Sequence, residues 1–268
     1  MCEQAQKRQG ELEGLGIWVA FAAAAGGHER IAPRIVELGA RWVAPRAGEG
    51  TFRDRQWQPA AAREHVRRYH DAGLRVYPWI YSRPWSWRAE VNVFKQLVDE
   101  GADGVIIDAE TPWDFGQRTN ALQFMEALDK ALPGVFIADA PWAYPHYHPG
   151  FPFAEFATRV NARLPQAYWS EIDNRGARFH LPRIDEGWAK FHAANPKSVR
   201  PVWPIGVTYG KEHPSKPPGA FTVDDLSFFL DRYAGKPASL YSFEAARAPT
   251  LDALRARAAA AAMKPKEP

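Results

Sequence analysis

The stretch Asp103-Gly104-Val105-Ile106-Ile107-Asp108-Ala109-Glu110 joins a short apolar run to two carboxylates. The three β-branched residues before Asp108 are typical of a strand buried in a parallel sheet. Side chains two residues apart on a strand point the same way, so Asp108 and Glu110 project together while Ala109 points away. The sequence therefore predicts a buried strand that ends in a pair of acids on one face.

Short β-type runs alternate with amphipathic helical stretches on both sides of this segment, and eight such pairs can be counted. The predicted strands cover residues 16–21, 41–45, 74–80, 104–108, 135–138, 163–168, 202–207 and 238–243. The predicted helices cover residues 29–38, 59–72, 87–100, 116–132, 154–160, 184–194, 223–233 and 251–263. Thr222 is the expected N-cap of the seventh helix.

This alternation predicts an α/β protein of the (β/α)8 type, a TIM barrel. A doubly wound sheet usually has fewer units and a nucleotide-binding loop after its first strand, where this chain offers only Gly26-Gly27. We expect one barrel domain over residues 14–263, preceded by a polar extension (1–13) and followed by a short tail (264–268).

Composition excludes several classes of function. The 34 Lys and Arg against 31 Asp and Glu give a net charge of only +3 without a long basic run, so no nucleic-acid partner is expected. No stretch of about 18 apolar residues predicts a membrane span, and the polar first residues lack the apolar core of a secretory signal, so we expect a soluble chain of unassigned compartment. The single cysteine, Cys2, excludes internal disulfides and Cys-based zinc sites.

No cofactor or metal is expected. His146 and His148 alternate as metal ligands in a strand would, but they lie between prolines without a matched third ligand, which favours a surface loop. No Gly-x-Ser-x-Gly pattern supports acyl-transfer chemistry.

The two acids of strand four are the first candidates for catalysis, because barrel active sites form at the carboxyl ends of the strands. Partial desolvation and mutual repulsion would raise the pKa of one acid, as a general acid requires. We expect Glu110, nearer the rim, to be the acid and Asp108 to orient and tune it. The alternative is structural: Asp108 binds a neighbouring polar group and Glu110 is a solvated loop residue. Asp103 precedes the strand and is expected at the opposite end of the barrel.

The segment resembles the Asp-Gly-x-Asp-x-Asp-x-Glu motif of chitinase-like enzymes of glycoside hydrolase family 18, with Ile106 in place of the middle aspartate. The resemblance implies that Glu110 is the acid and that Asp108 positions the N-acetyl group of the substrate. Because Ile106 stands at the position of the middle aspartate, the chain lacks the residue that shuttles protons in that family. The Asp-x-Glu pair is also similar to that of family 25 lysozymes, although strand one here lacks their aspartate.

Strand six ends Leu164-Pro-Gln-Ala-Tyr-Trp169, which is similar to the Met-x-Tyr-Asp strand of the chitinase family. The resemblance assigns Tyr168 the role of donating to the acetamido oxygen, with core packing as the alternative. Gln166 shares its face and would bond to sugar or to Asp108.

Further candidates lie near the other strand ends. Asp139 is either a second carboxylate of the site or a turn-capping residue, and Glu244 is either a site residue or a surface partner of Arg247. Seven tryptophans lie at or just beyond strand ends, where their faces would stack on sugar rings or cover the barrel as core. They are Trp79, Trp85, Trp87, Trp113, Trp142, Trp169 and Trp203. Tyr241 is a further candidate contact, whereas Trp18, Trp42, Trp57 and Trp188 are interpreted as structural.

These residues predict a glycoside hydrolase that binds and cleaves a β-linked polysaccharide such as chitin or peptidoglycan by general acid catalysis. The alternative is a catalytically weak barrel that serves as a carbohydrate-binding or structural module in a phage or secreted assembly. A phosphate-using lyase or isomerase is a third option, but no glycine-rich phosphate loop follows strands seven or eight.

Overall fold

The computed structural model describes residues 12–173, 175–210 and 221–263. Eight parallel strands form its sheet, and the third is divided by Pro78 into two pieces. The strands are β1 (Leu15–Val19), β2 (Ala40–Glu49), β3 (Arg75–Val76 and Trp79–Tyr81), β4 (Gly104–Asp108), β5 (Phe136–Asp139), β6 (Ala162–Arg163), β7 (Ile205–Val207) and β8 (Ala238–Tyr241).

The strand pairs close into a barrel. The hydrogen-bonded order runs β6, β5, β4, β3, β2, β1, β8, β7. The two ends of that order meet through parallel bridges from Arg163 to Val202 and from Gln166 to Ile205. The predicted TIM barrel is confirmed. A two-residue antiparallel strand (Phe52–Arg53) folds back on the end of β2.

Helices follow the strands and cover the outside of the barrel. They are α1 (His28–Glu37), α2 (Pro59–Asp71), α3 (Trp87–Asp99), α4 (Arg118–Ala131), α5 (Phe153–Phe156), α6 (Trp169–Ile172), α7 (Gly176–Ala194), α8 (Val223–Arg232) and α9 (Ala248–Ala262). The expected cap at Thr222 is present, since its side chain accepts a hydrogen bond from the backbone N–H of Asp225. No helix in the described ranges is both long and apolar enough to cross a bilayer.

Large aromatic residues fill the barrel interior because small residues stand opposite them. A Cβ on Gly16 would lie 2.1 Å from the ring of Trp42, so only glycine leaves room for that indole. A Cβ on Gly104 would lie 2.5 Å from the carbonyl oxygen of Phe136, which explains the glycine that opens β4. The interior cluster also contains Trp18 and Trp79.

The predicted extension and tail fall almost wholly outside the described residues. The division of the chain into extension, barrel domain and tail therefore stays a prediction.

Candidate active site

β4 presents its two acids to the inside of the barrel. Ile106 belongs to the interior cluster, whereas Ile107 and Ala109 pack in the outer cluster against the helices. Because side chains alternate along a strand, Asp108 and Glu110 continue the inward row above Ile106. Asp108 is buried, with 7% of its surface exposed, and Glu110 is partly exposed nearer the rim.

Gln166, just beyond β6, holds both carboxyl groups. Its Nε2 donates to Asp108 Oδ1 and to Glu110 Oε1, each at 2.9 Å, and lies 3.1 Å from the carbonyl oxygen of Ala140. The predicted bond from Gln166 to Asp108 is thus present. One amide fixes the relative positions of two acids that would otherwise repel each other.

The pKa of both acids is raised. Burial and then the adjacent charge of Glu110 raise the pKa of Asp108, while Arg46 opposes the shift. Burial raises the pKa of Glu110 and the charge of Glu171 adds to the increase, while the bond from Gln166 opposes it. Two carboxyl groups this close do not both ionise readily, so the pair retains a proton at a higher pH than isolated acids would.

A cavity of about 480 Å³ opens above these acids. Trp18 and Trp79 pack against each other at its base, with ring centroids 5.7 Å apart. Its walls carry two stacked pairs: Trp142 on His148 (4.5 Å, 7° between planes) and Tyr168 on Tyr241 (5.2 Å, 25°). The remaining lining is Ala143, Tyr144, Tyr147, Glu171, Ile172 and Tyr209.

The cavity thus brings together most of the predicted site residues. Asp108, Glu110, Gln166, Tyr168, Tyr241, Trp79 and Trp142 all line it. Burial raises the pKa of Tyr168 well above its usual range. Like any tyrosine, it keeps its hydroxyl proton at neutral pH and is a hydrogen-bond donor.

Several lining residues are not identified by the sequence reasoning. Trp18 is interpreted there as structural, yet it forms part of the cavity base. The other unidentified lining residues all follow strands: Tyr144, Tyr147 and His148 follow β5, and Tyr209 follows β7. Their position after a strand is the feature of the sequence that could have identified them. His148 is held by Asp114, with Nδ1 2.6 Å from Oδ2.

Glu171 adds a third carboxylate to the cavity. It lies on the short helix α6, two residues beyond Trp169. The hydroxyl of Tyr209 donates to its Oε1. Its negative charge adds to the increase that burial produces in the pKa of Glu110.

Four of the seven candidate tryptophans neither line the cavity nor stand exposed at its mouth, and one of them, Trp87, packs against Phe124 as core. Trp113 is fully buried and stacks on Phe124 at 5.8 Å, so it covers the barrel as core. Trp169 is also fully buried and packs against helix α8. Trp203 precedes β7, packs against the interior cluster and is not among the residues that line the cavity. Trp113 and Trp169 therefore fit the alternative that they cover the barrel as core, because outer helices pack over their side chains.

Two predicted acids also lie outside the cavity. Asp139 faces the helices and is fully buried beside Arg163, with Oδ2 3.1 Å from Nη2, so its expected role as a second catalytic carboxylate is corrected. Glu244 accepts hydrogen bonds from the backbone N–H groups of Ala20 and Phe21, each at 3.0 Å. It anchors the loop after β1 instead of contacting the cavity.

Exposed aromatic side chains surround the mouth of the barrel. Each follows the carboxyl end of a different strand, from β1 to β5, and each has at least 60% of its surface exposed. They are Phe21, Phe52, Trp85, Phe115 and Tyr147. Exposed aromatics on one face are typical of a binding surface. Within the described chain, no group of three or more His, Cys, Asp or Glu side chains is placed to hold a metal ion.

No protein-family model matches the chain, and no curated protein matches it by sequence. Solved structures match by fold. The barrel is similar to active domain 2 of a thermostable chitinase from Pyrococcus furiosus, studied with chito-oligosaccharides (TM-score 0.67, 10% identity, 97% of this chain and 99% of that one). It is also similar to a chitinase from Chromobacterium violaceum (TM-score 0.60, 14% identity, 90% and 97%). A third similar structure is a chitinase-like agglutinin from Robinia pseudoacacia (TM-score 0.62, 12% identity, 91% and 98%). At these identities the likeness establishes the fold.

Proposed function

We propose that this protein is a glycoside hydrolase that cleaves a β-linked, N-acetylated polysaccharide by general acid catalysis. The observation that carries the proposal is the pair of acids, Asp108 and Glu110, held by one Gln166 amide at the base of an aromatic cavity. An acid that retains its proton and an aromatic surface for sugar rings are the two parts that this chemistry requires.

The separation of the two acids limits the mechanism. Asp108 Oδ1 and Glu110 Oε1 each lie 2.9 Å from the same nitrogen, so the distance between these two oxygens cannot exceed twice that length. An inverting enzyme needs about 6.5 to 9.5 Å between its carboxyl groups to admit a water. These two acids also project from one face of one strand, so they do not flank a glycosidic bond as acid and nucleophile. One of them donates the proton and the other assists.

The substrate then supplies the nucleophile. Glu110, nearer the rim, protonates the glycosidic oxygen as the bond from that oxygen to C1 breaks. The acetamido oxygen of the same sugar forms a new bond to C1, while Asp108 holds the acetamido N–H and the Tyr168 hydroxyl donates to the oxygen. Water, deprotonated by the Glu110 carboxylate, later opens this cyclic intermediate and returns the proton to Glu110. No further protein carboxylate is needed, which agrees with the placement of Asp139 outside the cavity.

A second function has one observation in its favour. Ile106 occupies the barrel interior directly below Asp108, where the chitinase-like motif carries an aspartate. Without that acid the barrel would bind glycans and turn them over slowly or not at all, as a carbohydrate-binding module. The name of the Robinia protein, a chitinase-like agglutinin, makes this alternative worth a direct test.

Release of reducing ends from chitin and peptidoglycan, measured with wild type and Glu110→Gln, tests the proposal. We expect turnover to fall by about 10²- to 10⁴-fold, because the substitution keeps the shape of the side chain and removes its proton. Glu126→Gln is the matched control, since Glu126 is exposed on α4. Equal activity of wild type and Glu110→Gln would refute the assignment of the acid. Glycan binding without turnover in the wild type would establish the binding module instead.

A further inference from the structure

We propose that a second groove beside the cavity binds carboxylate groups carried by the glycan, so that the preferred substrate is an anionic polymer of the peptidoglycan type and not neutral chitin. This inference rests on the proposed function for its polymer. It names a binding site separate from the acids and a chemical group that the site recognises.

The groove lies between α7 and the turn formed by residues 145–147 after β5. It has a volume of about 620 Å³. Tyr144, Tyr147 and Ile172 line both the groove and the cavity, so the two spaces adjoin. A chain that occupies the cavity therefore has a continuous path into the groove.

Three cationic side chains line this groove: Arg175 just before α7, and Arg183 and Lys190 on it. Arg175 pairs with Asp173 at 2.5 Å, and Lys190 pairs with Glu186 at 2.7 Å. Glu186 also lines the groove, and its charge is felt by Arg183. In the described part of the chain no carboxylate lies within ion-pair distance of Arg183, so its guanidinium is the one that remains outside a direct ion pair.

The guanidinium of Arg183 is held in place without an acidic partner. Its Nη1 donates to the carbonyl oxygen of Phe179 at 2.8 Å, and its Cζ lies 3.6 Å from the centre of the Phe179 ring. Arg175 stacks on the same ring, with Cζ at 3.8 Å. A planar guanidinium that is already ordered loses less entropy when it binds a carboxylate in its two-pronged geometry.

The cavity has the opposite charge. Asp108, Glu110 and Glu171 line it, and its described lining includes neither lysine nor arginine. A carboxylate on the substrate is therefore repelled from the reacting centre and attracted to the groove next to it. This arrangement selects a polymer whose anionic group stands away from the sugar being cleaved.

The charge pattern separates the two candidate polymers. Chitin and peptidoglycan share a β-linked, N-acetylated backbone, so the cavity alone does not distinguish them. Peptidoglycan also carries carboxylates on the substituents of alternate sugars, and chitin carries none. A cationic groove adjoining the cavity has a ligand in the first polymer and none in the second.

Kinetics on two soluble polymers with the same backbone test the inference: neutral glycol chitin and anionic carboxymethyl chitin. We expect the wild type to show the higher kcat/KM on carboxymethyl chitin, with an advantage that added salt removes. Arg183→Gln should raise KM on carboxymethyl chitin by about three- to fivefold, as expected for an exposed charge pair, and leave glycol chitin unchanged. Arg178→Gln is the control, because Arg178 is exposed on α7 but stacks on Phe228 outside the groove.

The outcomes separate this inference from the proposed function. Equal cleavage of both polymers, unchanged in Arg183→Gln, overturns the groove and leaves the hydrolase intact. If neither polymer is cleaved, the proposed hydrolase activity is refuted. The affinities of wild type and Arg183→Gln for the two polymers then test whether the groove binds carboxylates. A preference for carboxymethyl chitin that Arg183→Gln abolishes supports the groove, and the absence of any preference overturns it.

Discussion

Asp108 and Asp139 each end one of two neighbouring strands, yet their surroundings differ. Both are buried, and Asp139 has no exposed surface. Asp108 faces the cavity beside another acid, Glu110, and shares the Gln166 amide with it. Asp139 faces the helices and lies against the guanidinium of Arg163. The same residue type at the same strand position thus belongs to a candidate active site in one case and to the supporting structure in the other.

The register of the two strands produces this difference. Asp139 pairs with Ile107, whose side chain packs in the outer cluster, so Asp139 also points outward. Asp108 stands one residue further along β4 and points inward. A shift of one residue is enough to move a carboxylate from the structural layer to the reacting cavity.

The two environments also have opposite energetic consequences. Burial raises the pKa of Asp139 to about 6, and the adjacent Arg163 limits that increase because it favours the charged form. Asp108 has an acid as its nearest charged neighbour, so burial and repulsion act in the same direction on its pKa. Removing one half of the ion pair leaves a buried charge without a partner and lowers the stability of the fold. Keeping two ionised acids side by side lowers it as well, so the acid pair is destabilising while it is intact.

Removing one half of the ion pair should have the largest effect on stability. Asp139→Ala leaves the fully buried Arg163 without its carboxylate, and we expect the free energy of unfolding to fall by about 3 to 5 kcal/mol. Asp129→Ala is the control, because Asp129 pairs with Arg159 at the surface and should cost less than about 1 kcal/mol. Urea unfolding measures both. A loss at Asp139 no greater than that at Asp129 would contradict the structural role.

Asp108→Asn should change stability in the opposite direction. The raised pKa of Asp108 means that wild-type stability is full below the unfolded-state pKa of about 3.9 and falls as pH rises through the folded-state value. Asparagine does not ionise, so we expect a gain of about 0.5 to 2 kcal/mol at pH 7 that disappears near pH 4. Thermal unfolding from pH 4 to 8 measures this gain. A loss of stability at pH 7, as expected for Asp139→Asn, would show that the two acids are equivalent.

The elements around the acids were predictable because their signals are local. β4 is predicted residue for residue, since a β-branched run between Gly104 and two acids has one favourable interpretation. The end of α7 at Ala194 is also predicted, but its start is placed at Ile184 instead of Gly176. Pro182 lies inside this helix and suggests a boundary, which tertiary packing of the buried Ala177 and Leu181 overrides.

The division of aromatic residues between cavity and core was not predictable from position along a strand. Trp113 and Trp142 both follow strand ends, but helix α4 covers the first, whereas His148 stacks on the second and leaves it in the cavity wall. Which side chain is covered depends on contacts between residues distant in sequence. The role of Asp139 has the same origin, because its partner Arg163 lies on the next strand.

Gln166→Met should have the smallest effect and tests the contact that makes the acid pair distinctive. Methionine has a similar volume and no donor, so the pKa of Glu110 loses the hydrogen bond that lowers it, while burial and Glu171 still raise it. Asp108 and Arg83 also face Glu110 and remain in place. We expect the basic limb of the kcat/KM profile to move to higher pH by about half a unit to one unit, since one hydrogen bond at this partly exposed carboxyl is worth about 1 kcal/mol. Gln123→Met, at an exposed position on α4, is the control, and a limb that stays in place or moves to lower pH would show that Gln166 only fills space.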